Sequence, residues 1–172
     1  MKSLGFSDSD EGHMRRSLQL ARIAGERGEV PVGAVLVKDE MVIGEGFNCP
    51  IGQNDPTAHA EIQAIRAGAR RTGNYRLTDS VLYVSLEPCV MCAGAIVMAR
   101  IGRLVFAARD LRFGAVRSKF LVADSELLNH RVAVDEGLFG AEAAEILADF
   151  FRLRRDQEYE IKKGSSSEPP RT

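Results

Sequence analysis

The chain has 172 residues, 45% hydrophobic and 27% charged, a balance that suits one globular domain and excludes a disordered chain, a collagen-like repeat or a low-complexity polymer. Lys and Arg number 23 against 24 Asp and Glu, a net charge of −1, so a nucleic-acid surface has to be local. Three cysteines are too few for a disulfide scaffold, and the N-terminus is polar and acidic with no apolar run of membrane-spanning length, so the expectation is a cytoplasmic protein with no membrane partner.

The spacing of Leu18, Ala21, Ile23 and Ala24 predicts a helix from Met14 to Arg27, stopped by Gly28. Two short β-branched runs, Val32 to Val37 and Met41 to Phe47, flank Lys38-Asp39-Glu40 and read as a hairpin. Asn48 to Thr57, with two prolines and a glycine, is loop chemistry. Ala58 to Arg71 carries Ile62, Ile65 and Ala69 on one side of a helix that ends at Gly73-Asn74. A strand from Val81 to Leu86 leads through Glu87-Pro88-Cys89 into a small-residue helix from Val90 to Arg100. A fourth strand, Leu104 to Ala107, precedes a basic loop from Arg109 to Lys119, and a short fifth strand is expected around Val132 to Val134. The last helix is predicted from Ala141 to about Tyr159, with Ile146, Leu147 and Phe150 on its buried face. A hairpin followed by strands that alternate with helices predicts an α/β layered domain with a sheet part antiparallel and part parallel. The expected division is a flexible N-terminus over 1–12, one domain over 13–160 and a disordered Ser/Pro-rich tail over 161–172.

Two segments carry chemistry: His59-Ala60-Glu61 at the start of one helix and Pro88-Cys89-Val90-Met91-Cys92 at the start of another. One imidazole and two thiolates supply three ligands where zinc prefers four, which leaves a position for water, as catalytic sites do. Cys89 and Cys92, three apart on a first helical turn, face the same side, and a helix N-terminus favours the thiolate. His59 and Glu61 converge only if the metal lies near the helix end, so two helix N-termini have to aim at one ion, and Glu61 is then placed to move protons rather than to ligate. The bland alternative for the metal is a closed structural zinc with Cys49 as fourth ligand.

His-x-Glu followed by Pro-Cys-x-x-Cys is the signature of zinc nucleobase deaminases. The match runs further, through Val30-Pro31-Val32-Gly33-Ala34-Val35, Asp55-Pro56-Thr57-Ala58-His59-Ala60-Glu61, Asn74-Tyr75-Arg76-Leu77, Leu86-Glu87-Pro88-Cys89-Val90-Met91-Cys92-Ala93-Gly94-Ala95, Asn129-His130-Arg131 and Asp149-Phe150-Phe151-Arg152. Over about residues 12–160 the sequence resembles the bacterial tRNA adenosine deaminases (TadA) of the cytidine deaminase superfamily. The resemblance implies a cytidine-deaminase-like three-layer α/β/α fold around a mixed five-stranded sheet, and a homodimer. It implies one zinc per chain on His59, Cys89 and Cys92, with Glu61 as proton shuttle. It also implies an anticodon stem-loop as substrate, its wobble adenosine hydrolysed to inosine, with Asn48, Ala60, Asn129, His130, Phe151 and Arg152 in the substrate-binding set.

Each of these residues also has an ordinary reading. Asn48 is a natural turn residue and His130 a satisfied structural histidine. Phe150 falls in register with the helix core, which leaves Phe151 for exposure and stacking. The Arg152, Arg154, Arg155 run reads as a solvated helix face unless Arg112, Arg117 and Lys119 join it. Phe47, Cys49, Val116 and Arg117 depart from the usual pattern of the resembled family. Two other functions fit the signature: a deaminase of free bases or nucleosides of the guanine or cytosine type, and a non-catalytic zinc-stabilised subunit, against which Glu61 argues.

Overall fold

Along β1 (Gly33–Lys38), Ala34 and Leu36 enter one apolar cluster and Val35 and Val37 another. A strand buried on both faces requires helices on both sides of its sheet. The computed structural model, which describes residues 5–165, supplies them. In chain order the elements are α1 (Asp8–Glu26), β1, β2 (Met41–Phe47), the short α2 (Pro50–Gln53), α3 (Ala60–Thr72), β3 (Ser80–Leu86), α4 (Val90–Met98), β4 (Arg103–Ala108), β5 (Ala133–Glu136) and α5 (Gly140–Ser165). The strands lie in the order β2-β1-β3-β4-β5, antiparallel from β2 to β3 and parallel from β3 to β5. On one face Ala60, Ala64, Ala93 and Ile96 of α3 and α4 meet Ala34, Leu36, Leu82, Val84 and Phe106. On the other, Met14 and Leu18 of α1 and Ala143 of α5 meet Val35, Tyr83 and Val105. This is the expected three-layer α/β/α arrangement on a mixed five-stranded sheet.

Small residues set how closely α3 lies on β2. A Cβ on Gly44 or Gly46 would run into the backbone carbonyl of Ala64 or Ala60, so the helix rests directly on the strand. Its first turn therefore sits at the C-terminal end of β2. Pairing of Gly33 with Phe47, Ala34 with Val84 and Leu86 with Ala108 brings the C-terminal ends of β2, β3 and β4 to one sheet edge. In sheets of this kind that edge is where ligand crevices form.

Three expectations are corrected. The helix expected from Met14 begins at Asp8, within the stretch 1–12 read as flexible, because Ser7 and Asp10 form a reciprocal capping box. The last helix runs past Tyr159 to Ser165, so 161–165 are helical; the rest of the tail, 166–172, lies outside the described residues. Ile146, Leu147 and Phe150 are only half-buried, and described side chains from Phe151 onward are exposed, because only the first turns of α5 reach the sheet. No helix among the described residues is long and apolar enough to cross a membrane.

Candidate active site

The connection from β2 to α3 delivers His59 in a defined conformation. The Asn48 N–H donates to the Val32 carbonyl at 3.0 Å, and Pro50 opens the short α2. The Asp55 carboxylate then accepts from the Thr57 N–H and hydroxyl at 2.8 and 2.7 Å, an Asx turn that aims the chain at the sheet edge. His59 is the N-cap of α3 in an extended conformation, and its own side chain does no capping. Asn48 does it instead: Oδ1 accepts the Ala60 N–H at 2.9 Å. The imidazole is left available as a ligand.

Cys89 is the N-cap of α4 and Cys92 its third residue, so two helix N-termini point at one place. The His59 Nδ1 lies 3.6 Å from each of the two sulfurs, and the three donor atoms fall within 4.8 Å of one another. A tetrahedral zinc with Zn–N near 2.0 Å and Zn–S near 2.3 Å separates its nitrogen and sulfur ligands by about 3.5 Å, so this donor set fits the ion. Cys49 is outside the cluster; its sulfur faces the Ala58 carbonyl at 3.8 Å. Among the described residues the group therefore offers three ligands, not four.

Charge in the cluster follows from shared protons and burial. The hydrogen bond from the Cys92 thiol, with that from His59, lowers Cys89 to about 4 against the penalty of burial. Cys92, whose proton serves that bond, is pushed up, with burial acting in the same direction. The thiolate beside it raises His59. Glu61, in the first turn of α3 and buried, is pushed up to about 7, mainly by loss of solvent.

His59, Glu61 and Cys89 line an open cavity of about 990 Å³. Glu29, Val30 and Asn48 stand on one wall and Leu111, Arg112 and Phe113 on another. A third wall comes from α5, where Leu147, Ala148, Phe151, Arg154 and Arg155 form a stripe at helical spacing. Buried Glu29 accepts the Gly52 N–H at 2.8 Å and so ties α2 to the wall.

Of the residues anticipated from sequence, His59, Glu61, Cys89, Asn48 and Phe151 line this cavity, with Cys92 buried beside them. Ala60 is buried and reaches the site through its bond to Asn48. Asn129 and His130 do not line it: the Asn129 carbonyl accepts from Arg100 at 2.6 Å, and the His130 Nε2 pairs with the Ile101 carbonyl at 2.7 Å. Arg152 points off the stripe and pairs with Asp149 at 2.9 Å, while Arg154 and Arg155 face the cavity. Arg117 is bound into its own loop through Asp124 at 2.9 Å. Glu29 and Glu87 are buried at the site and have no role in the sequence reading, because their partners, the Gly52 N–H and the loop after β4, are distant in the chain.

A His/Cys/Cys group able to hold a metal, with a buried carboxylate beside it at the end of this sheet, is the arrangement that a hydrolytic deaminase site requires. The profile of the MafB19-like deaminases matches residues 8–155. The tRNA-specific adenosine deaminase of Haemophilus influenzae is 52% identical over 152 residues, 88% of this chain and 88% of the relative. A solved structure described under A-to-I editing by tRNA:A34 deaminases at the wobble position superposes with a TM-score of 0.77 at 48% identity, covering 79% of this chain and 99% of that one. The guanine deaminase of Bacillus subtilis superposes less well, with a TM-score of 0.56 at 46% identity over 58% of this chain and 64% of that one. The chain belongs to the tRNA-specific adenosine deaminases.

Proposed function

We propose that the chain hydrolyses the wobble adenosine of a tRNA anticodon to inosine, releasing ammonia, with one zinc held by His59, Cys89 and Cys92. The observation that carries this reading is the pairing of that cluster with 52% identity across most of the chain to a tRNA-specific adenosine deaminase. Zinc, when bound, supplies a Lewis acid that lets water ionise near neutral pH. The protein's own part is proton transfer. Glu61 takes a proton from the attacking water and delivers it to adenine N1 as oxygen bonds to C6, then takes the proton of the new C6 hydroxyl and passes it to the amino nitrogen as the C6–N bond breaks and ammonia leaves. Asn48 keeps its Oδ1 on α3 and offers its amide N–H groups to the base. An anticodon loop suits the open cavity because its bases leave the stack at little cost, and Phe151 with the neighbouring arginines supplies stacking and phosphate contacts. Free purines lack that remote binding surface.

Incubation with an anticodon stem-loop, beside free adenosine, cytidine and guanine, tests the substrate. Inosine at the wobble position and slow turnover of the free compounds are expected; turnover of a free compound with none on the stem-loop overturns the reading.

The working unit in this proposal is a homodimer in the cytoplasm, where a reducing setting preserves the thiolate ligands. Val90 and Met98 on α4 are 52% and 71% exposed, and Phe120 and Leu121 beyond β4 are 56% and 63% exposed, the kind of apolar surface a second copy covers. Light scattering at low micromolar concentration is expected to give the mass of two chains, and a monomer contradicts it.

A further inference from the structure

Glu87 stands at the turn between β3 and α4, two residues before Cys89, and is 2% exposed. Its Oε1 accepts the N–H groups of Val116, Arg117 and Ser118 at 3.1, 2.6 and 2.8 Å. Its Oε2 accepts the Asp110 N–H at 3.0 Å and the Ser118 hydroxyl. These donors bracket the loop segment that puts Leu111, Arg112 and Phe113 on the cavity wall. The segment is internally braced as well: the Asp110 carboxylate accepts the N–H groups of Arg112 and Phe113, and the Asp110 carbonyl accepts that of Gly114. Gly114 is pressed against the Glu87 carboxylate so closely that a Cβ there would collide with it. The Ala115 N–H donates to the Pro88 carbonyl at 2.8 Å, and Cys89 and Gly114 form a β-bridge.

One carboxylate thus fixes both ends of the cavity wall to the turn that carries a metal ligand. What it holds in place is unusual surface: Leu111 and Phe113 are 72% and 69% exposed and flank Arg112, a stacking and phosphate-binding combination whose reach depends on where the loop stands. We infer that Glu87 is a positioning residue for substrate binding, holding loop 109–119 at a fixed height above the metal-ligand segment so that the loop can engage the nucleic acid. The inference rests on an RNA stem-loop being the substrate.

Kinetics of zinc-loaded Glu87→Gln on an anticodon stem-loop test it. The isosteric amide keeps an acceptor for Val116, Arg117 and Ser118 but turns an N–H donor towards the Asp110 N–H, so the loop is released at one end. KM is expected to rise about tenfold with kcat within about threefold of the parent and zinc still bound, the pattern of lost positioning rather than lost chemistry. Trypsin should also cut earlier at Arg112, Arg117 or Lys119. Ser118→Ala, which removes one donor to the Glu87 carboxylate and is expected to keep the parent's circular dichroism, should raise KM by about twofold to fivefold in the same direction, and it carries the test if Glu87→Gln does not fold. Unchanged KM and unchanged cleavage overturn the inference, as does loss of zinc with a matching fall in kcat, which makes Glu87 a support of the metal site alone. Failure of the parent protein to deaminate the stem-loop counts against the substrate assignment, whereas an active parent with unaffected variants counts against Glu87.

Discussion

Arg152 and Arg154 are two positions apart on α5 and meet different surroundings. Arg154 shares the cavity stripe with Phe151 and Arg155, and Arg152 turns to Asp149. Successive residues on a helix differ by about 100° in direction, so a run of arginines in the sequence does not say which of them faces the cavity. That phase is set by which side of α5 packs on the sheet through Ala143. Arg154→Ala is expected to weaken stem-loop binding about fivefold and to flatten its salt dependence by roughly one phosphate contact, with Arg152→Ala within about twofold of the parent. KM measured at two salt concentrations decides it, and equal effects of the two substitutions contradict the placement. By contrast the convergence of His59, Cys89 and Cys92 was legible residue by residue, because each stands at a helix start and the three donors are of types that suit one metal, while whether Cys49 joins them was settled only by its place at the Ala58 carbonyl. Glu87 and Glu29 were not legible, since what each binds, the loop after β4 or the N–H of Gly52, comes together only in the fold.

At the scale of elements, α1 is joined to the sheet by a buried charge. The Asp10 carboxylate caps α1 through Ser7 and accepts from the Tyr83 hydroxyl at 2.8 Å and from Arg103 at 2.6 Å, linking the helix to β3 and β4. Burial alone would raise its pKa, but the Arg103 bond, with those from Ser7 and Tyr83, outweighs that and holds it well below the usual carboxylate range. A depressed folded-state pKa contributes stability above the unfolded value near 3.9, which is lost as pH falls through the folded one. Asp10→Asn should therefore be less stable than the parent at about pH 7, with a gap that narrows below about pH 4. Arg103→Ala should cost about 3 kcal/mol at neutral pH, the low end for a buried pair because Arg103 is partly exposed. Urea midpoints at the two pH values check both, and a gap that does not change with pH contradicts the assignment. The same network shows why the start of α1 was misjudged. Asp8 to Gly12 reads as polar and acidic, and the Ser7–Asp10 capping box together with the distant Arg103 fixes it as the start of the helix. The strands were easier, because β-branched runs of this length between turn residues fit little else, though β5 starts one position later and ends two positions later than expected, with Val132 buried before it.

In the whole molecule, a group able to hold a metal on two helix starts, a buried carboxylate and an open cavity come together at one place. The helices begin at one sheet edge because Gly44 and Gly46 let α3 lie on β2 and because β3 ends where Glu87 and Cys89 begin. A single comparison tests that union most directly: inosine formed at the wobble position of an anticodon stem-loop by the zinc-loaded parent and by Glu61→Ala, with metal content measured on the same samples. The account predicts that the variant keeps one zinc per chain and that its turnover falls by about 10² to 10⁴. Inosine formation by the variant within about tenfold of the parent, or none by the parent itself, would contradict it.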